Sequence, residues 1–129
     1  MTVQLNHTII PAKDKKESAA FLSEILGLPA PFPFGPFMAV QVDSLTLDYV
    51  EVGEENKDID PRHYAFLVSE DEFDQIFGRI QGRNIPYWAD PHKNRPQEIN
   101  HNDGGRGCYF PDPDGHWLEI ITRPYGSGS

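Results

Sequence analysis

Apolar positions along this chain fall into two spacings, and the switches between them mark out its elements. Residues 3–10 are a short run with β-branched members, stopped by Pro11, and read as a strand. Phe21, Leu22, Ile25 and Leu26 then recur at helical spacing, behind an Asp14-Lys-Lys-Glu17 capping pattern and ahead of Gly27, so an amphipathic helix of about three turns follows. Residues 29–36 are rich in proline and phenylalanine, which suits a rigid extended connection or an edge strand that cannot donate a full ladder. Residues 37–42 and 45–52 alternate as two strands about a tight turn at Asp43-Ser44, with Thr46, Asp48 and Val50 on one face of the second.

The pattern then restarts. After an acidic, polar loop over residues 53–61 comes an apolar strand at 63–68, a Ser69-Glu-Asp-Glu72 capping box, and a second amphipathic helix carried by Phe73, Ile76, Phe77 and Ile80 and ending near Gly82. Residues 85–89 read as the next short strand. Residues 90–106 are polar and aperiodic, and a loop of that length within a compact domain is often functional. Residues 107–123 form a hairpin about Pro111-Asp112-Pro113-Asp114-Gly115, so strand, helix and three strands occur twice. One residue of the hairpin is out of place. Glu119 lies between Leu118 and Ile120, on the face of Trp117 and Ile121, and a buried carboxylate there needs a cation, a donor or a route to water.

Composition narrows the class. A chain of 129 residues is one domain by size, and 38% hydrophobic residues with 12% aromatics are enough for a packed core without staples. The net charge of −9 argues against a nucleic-acid backbone or an anionic membrane as partner, because either would repel it. No apolar run approaches the roughly 18 residues of a membrane span, and no basic-then-apolar leader opens the chain, so the cytoplasm is the expected location. Cys108, the single cysteine, excludes an internal disulfide and reads as a small apolar filler in a strand. Residues 126–129, Gly-Ser-Gly-Ser, are expected to trail as a flexible tail.

Three segments together carry a resemblance. Asn6-His7-Thr8, His63-Tyr64-Ala65-Phe66 and the stretch from Tyr109 through Pro111-Asp112-Pro113-Asp114-Gly115 to Glu119 resemble the vicinal oxygen chelate superfamily of glyoxalases, extradiol dioxygenases, fosfomycin-resistance transferases and bleomycin-binding proteins. The resemblance implies an α+β fold. Two βαβββ modules, about 1–53 and 62–125, would pair within a single domain, 1–125, into a curved, cup-like mixed sheet with helices outside. It further implies that His7, His63 and Glu119 hold a divalent ion, Fe2+ or Mn2+ foremost, with Zn2+ and Ni2+ as alternatives.

The likeness bears on Asp48 and Tyr109, and the other assignments are read from the residues themselves, above all the cationic loop before the hairpin. Asp48 lies near the place from which glyoxalase-like members supply a fourth, acidic ligand, and being one methylene shorter it is assigned to substrate. Tyr109 and His101 are the catalytic candidates, a phenol at the substrate and an acid–base imidazole. Ile9, Trp88, Arg95 and Arg106 are assigned to binding a substrate with a carbon skeleton and two adjacent oxygens. Ile9 and Asp90 stand where the fosfomycin enzymes carry threonine and lysine, so fosfomycin is not expected as the substrate. The function implied is that of a metal-dependent dioxygenase or lyase of the glyoxalase type, acting as a homodimer on a small molecule. The alternative is a resistance protein that sequesters a drug without catalysis.

Overall fold

Asp14 ends the first strand and starts the first helix: its side chain accepts the backbone N–H groups of Lys16 and Glu17, two donors that the helix itself cannot satisfy. The helix, α1 (Lys15–Leu26), stops at Gly27, whose left-handed backbone (φ 72°) suits a residue without a side chain. In the computed structural model, residues 2–53 and 58–128 are described. They fall into two units, Met1–Asp60 and Pro61–Ser129.

Unit 1 is a four-stranded sheet in the order β1-β4-β3-β2, formed by β1 (His7–Ala12), β2 (Phe32–Phe34), β3 (Phe37–Val42) and β4 (Leu45–Glu51). β1 and β4 are parallel; β4 with β3 and β3 with β2 are antiparallel. The strand expected to stop at Pro11 runs through it instead. β1 pairs with β4 alone in its sheet, so a residue lacking an N–H fits its open side. At the other end residues 3–6 lie outside the strand, although the Asn6 carbonyl still accepts from Thr46 N. The phenylalanine-rich connection became the edge strand β2. One sheet face carries Ile10, Ala12, Leu47 and Tyr49 into a core with Ala19, Leu22 and Ile25 of α1. The other face holds His7, Ile9, Thr46 and Asp48.

Unit 2 is a three-stranded sheet in the order β5-β7-β6, from β5 (His63–Leu67), β6 (Gly107–Pro111) and β7 (Trp117–Ile121). β5 is parallel to β7, and β6 is antiparallel to it. The second helix, α2 (Glu70–Gly82), begins with a full capping box between Ser69 and Glu72 and buries Phe73, Ile76 and Ile80. The short strand expected at 85–89 reduces to isolated bridges from Trp88, to Tyr109 on one side and Pro96 on the other. Pro86 cannot donate, and the Tyr87 carbonyl accepts Gln97 N from the returning loop, so the segment pairs with its own loop rather than extending the sheet. The mixed α+β architecture read from the sequence is therefore present, with four and three strands in place of two equal modules.

One connection differs from expectation. Residues 54–57, within the loop read at 53–61, and Ser129 of the tail lie outside the described residues. The rest of the tail does not trail free: Gly126 N and Gly128 N both donate to Asp103 Oδ1, at 3.1 and 3.3 Å, and Arg123 reaches the Ser127 carbonyl. Asp103 lies in the short 3-10 turn Asn102–Gly104, so the long polar loop and the tail hold each other.

The capping box gives the first test. Ser69→Ala removes the acceptor for Glu72 N and is expected to lower the unfolding free energy by about 1 kcal/mol in urea titration.

Candidate functional site

A glutamate in the middle of β7 organises the interior face of unit 2. Glu119 is 1% exposed, and each of its oxygens meets a partner: Oε1 lies 3.0 Å from His63 Nε2, and Oε2 accepts the phenolic proton of Tyr125. The strands bring these residues together by register, since His63 faces Trp117 and Ala65 faces Glu119 across the parallel pair. His63 Nδ1 lies 2.9 Å from the Trp117 carbonyl, which can only accept, so Nδ1 carries the proton and donates it. Nε2 then faces a carboxylate oxygen across 3.0 Å, a separation that a proton on Nε2 or a cation held between the two atoms can bridge.

This arrangement suits a divalent ion. Neighbouring ligands of an octahedral ion at about 2.1 Å stand roughly 3 Å apart, the separation the pair already has. Fixing the imidazole through an Nδ1–H bond to a backbone carbonyl is also the usual support for a metal-ligating histidine. His7 in unit 1 is held in the same way, with Nδ1 2.7 Å from Asn6 Oδ1. His63 has a side-chain exposure of 49%, so the pair stays open to an incoming ligand while its carboxylate does not.

Around the pair lies an aromatic group. Tyr109 stacks on His63 (5.9 Å) and on Trp117 (6.0 Å), Trp88 tilts against Trp117 (5.4 Å), and the Lys93 ammonium sits 5.1 and 5.3 Å from the two indole centres. Tyr109 Oη is 2.9 Å from Tyr125 Oη; because Tyr125 gives its proton to Glu119, Tyr109 is the donor of that second bond. Burial and the adjacent Glu119 charge hold both phenols above their ordinary range, so both remain donors at neutral pH. Tyr125, Trp117 and Lys93 were missed as site residues in the sequence. Tyr125 follows the last strand among turn formers, and no periodicity marks it as facing the sheet.

Other residues read from the sequence are committed elsewhere. Arg106 binds Glu70 at 2.7 Å and Asp74 at 2.9 Å and lies over the Phe73 ring, a clamp on the first turns of α2 rather than a substrate contact. Arg95 pairs with exposed Glu98. His101 precedes the 3-10 turn Asn102–Gly104. Asp90 accepts the backbone N–H groups of His92, Asn94 and Arg95 and so shapes the turn that carries Lys93. Asp48 and Ile9 lie together in unit 1, paired in register on the face of His7.

Among the described residues, Asp112, Asp114 and His116 also bring ligand-type atoms within 4.8 Å of one another, a spacing that could hold an ion. Their hydrogen bonds account for the cluster equally well. Asp112 Oδ1 accepts Asp114 N and His116 N, closing the hairpin turn, and His116 Nδ1 accepts Arg62 N, which leaves its proton on Nε2.

The model of the Glyoxalase/Bleomycin resistance protein/Dioxygenase superfamily matches residues 4–120. Glutathione transferase FosA of Serratia marcescens is 31% identical over 124 residues, covering 93% of this chain and 81% of its own. Metallothiol transferase FosB of Lysinibacillus sphaericus is 29% identical, with 95% and 84% covered. Among solved structures, oxidase ChaP-H2 is 61% identical with all of both chains covered and a TM-score of 0.94. The fosfomycin resistance protein FosX of Mesorhizobium loti shares the fold at 18% identity and a TM-score of 0.69, over 96% of this chain and 95% of its own. No helix among the described residues is long and apolar enough to cross a membrane.

Cys108 is not part of this chemistry. It is fully buried, and burial, with the Glu119 charge behind it, pushes its thiol up to about 12. A disulfide reagent at pH 8 is expected to modify it at least about 100-fold more slowly in the native protein than in urea, because reaction must await opening of the fold.

Proposed function

Because the chain belongs to the Glyoxalase/Bleomycin resistance protein/Dioxygenase superfamily, we propose that it is a divalent-metal-dependent enzyme acting on a small molecule that binds through adjacent oxygens. The observation that carries this reading is the His63–Glu119 pair, an imidazole Nε2 and a buried carboxylate oxygen 3.0 Å apart, with the imidazole held through Nδ1 by the Trp117 carbonyl. His63 and Glu119 are the proposed ligands in unit 2, and His7 is the ligand that the family resemblance implies in unit 1. Two imidazoles and one carboxylate match the facial arrangement of non-haem Fe(II) oxygenases. When bound, such an ion supplies Lewis-acid polarisation of the substrate oxygens and, as Fe(II), access to dioxygen chemistry.

The chain's own residues do the rest. Tyr125 holds Glu119 Oε2 so that Oε1 stays toward His63, and Tyr109 holds the Tyr125 hydroxyl while its ring supports the imidazole. Trp88 and Trp117 offer a flat wall for an unsaturated carbon skeleton, and Lys93 places a cation where a phenolate or enolate oxygen would gain from it. An oxidase at 61% identity favours redox chemistry over lyase chemistry. Thiol transfer to fosfomycin is the second reading, favoured by the FosA and FosB relatives. Ile9 and Asp90 stand where that reaction's threonine and lysine would be, and Asp90 is engaged in its own loop.

Calorimetric titration with Fe(II) or Mn(II) under anaerobic conditions is expected to give about one ion per chain. His63→Ala should abolish it, and Tyr125→Phe should weaken it about tenfold as a support to the carboxylate. Wild-type protein that takes up no divalent ion would sink the metal reading. The same reading includes a homodimer, expected to elute in size-exclusion chromatography at twice the 14.6 kDa chain mass.

A further inference from the structure

The two units repeat one register. In unit 2, β5 opens with His63 opposite Trp117, and Glu119 lies two positions on, opposite Ala65. In unit 1, β1 opens with His7 opposite Thr46, and Asp48 lies two positions on, opposite Ile9. Asp48 is thus the counterpart of Glu119, buried to 4% exposure against 1%. Their surroundings differ in one respect: both Glu119 oxygens have partners, whereas Asp48 Oδ1 has no hydrogen-bond partner.

A carboxylate oxygen out of water without a donor is costly, and sequences seldom keep one that nothing ever meets. Asp48 lines a cavity of about 480 Å³ that is bounded entirely by unit 1. The cavity supplies no cation. Gln41, the amide nearest the turn, spends Nε2 on the carbonyls of Asp43 and Leu45, at 2.8 and 3.0 Å. Asn6 Oδ1 accepts from His7. Phe32, Phe34 and Phe37 line the cavity beside Ala39, Ser44 and Thr46, with Phe32 41% and Phe34 64% exposed, an unusual display for rings on an edge strand. His7 lines the cavity on the same face, its Nδ1 turned to Asn6 Oδ1.

We propose that this cavity is a substrate subsite for a hydroxyl-bearing aromatic ring system, whose O–H donates to Asp48 Oδ1 while its plane lies among the three phenylalanines. Such a hydrogen bond is charge-assisted and made away from water, so it discriminates strongly between a ring that carries the donor and one that does not. The choice of a hydroxyl over an ammonium donor rests on the adjacent-oxygen reading proposed above. The subsite makes Asp48 a specificity-determining residue rather than a fourth ligand. Its side chain is a methylene shorter than that of Glu119, and no contact joins it to His7 among the described residues.

The test uses the full chain freed of divalent ions with a chelator, titrated calorimetrically with 2,3-dihydroxynaphthalene and 2,3-dimethoxynaphthalene. These probes share ring and oxygens and differ only in donors. The diol is expected to bind at least about tenfold more tightly than the diether. Asp48→Asn is expected to erase that difference, and Phe34→Leu to weaken both probes alike. Asp48→Asn should melt at or above the wild-type temperature, which shows it folded, because it removes a buried charge that lacks a donor. The protein is titrated free of divalent ions, so a chain that binds none still gives this experiment a clear result. Equal affinity for diol and diether overturns the proposal, as does an Asp48→Asn protein that still tells them apart. Diol binding that appears only when an ion is restored also overturns it, and so does tighter binding of 1-naphthylmethylammonium than of the diol.

Discussion

A single carboxylate taken out of water sets the terms for unit 2. Glu119 sits in the middle of β7 between Leu118 and Ile120, all three almost wholly buried. An ionised group in that position costs several kcal/mol unless partners surround it. His63 supplies one from the neighbouring parallel strand, and Tyr125 supplies the other from just beyond β7. The stack of Tyr109 against His63 and Trp117 then fixes the partners in turn. A core built for stability alone would place a leucine here, so the glutamate is best understood as kept for its chemistry.

Unit 1 repeats the device with one link open. Parallel pairing of β1 with β4 and of β5 with β7 brings a histidine at a strand start near an acid two positions along the partner. Side chains at neighbouring positions of a sheet face the same way, so this repeat puts imidazole and carboxylate on one surface in each unit. The difference between a satisfied Glu119 and an unpartnered Asp48 Oδ1 is a difference of local donors, not of backbone plan. In unit 1 Asp48 instead lines a cavity.

Charge placement in the loop over residues 90–106 separates scaffold from site. Its cations looked equivalent in the sequence, yet Arg106 is held by two acids and a phenylalanine of α2, and Arg95 by a glutamate three residues on. Lys93 alone among these reaches the aromatic group, because the Asp90 side chain gathers three backbone N–H groups into the turn that aims it. The guanidinium fork suits fixed pairing with carboxylates, whereas an ammonium over two indoles keeps its remaining donors for a ligand.

The sequence by itself determined the elements and the identity of the chemical groups. Helical spacing with caps at Asp14 and Ser69 fixed both helices, the Asp-Pro-Asp-Gly turn fixed the last hairpin, and Glu119 was conspicuous because a charge in an alternating apolar strand breaks a local rule. These are short-range signals, carried by residues within one or two turns of each other. Tertiary structure alone decided which groups meet. The strand at 85–89 gave way to isolated bridges at Trp88 because the loop that follows it took its hydrogen bonds. Tyr125 became a partner of Glu119 through the fold of the chain end, and Asp48 was left without a donor because of what surrounds it in space. Contacts between residues far apart in sequence depend on register and packing, and neither leaves a periodic trace along the chain.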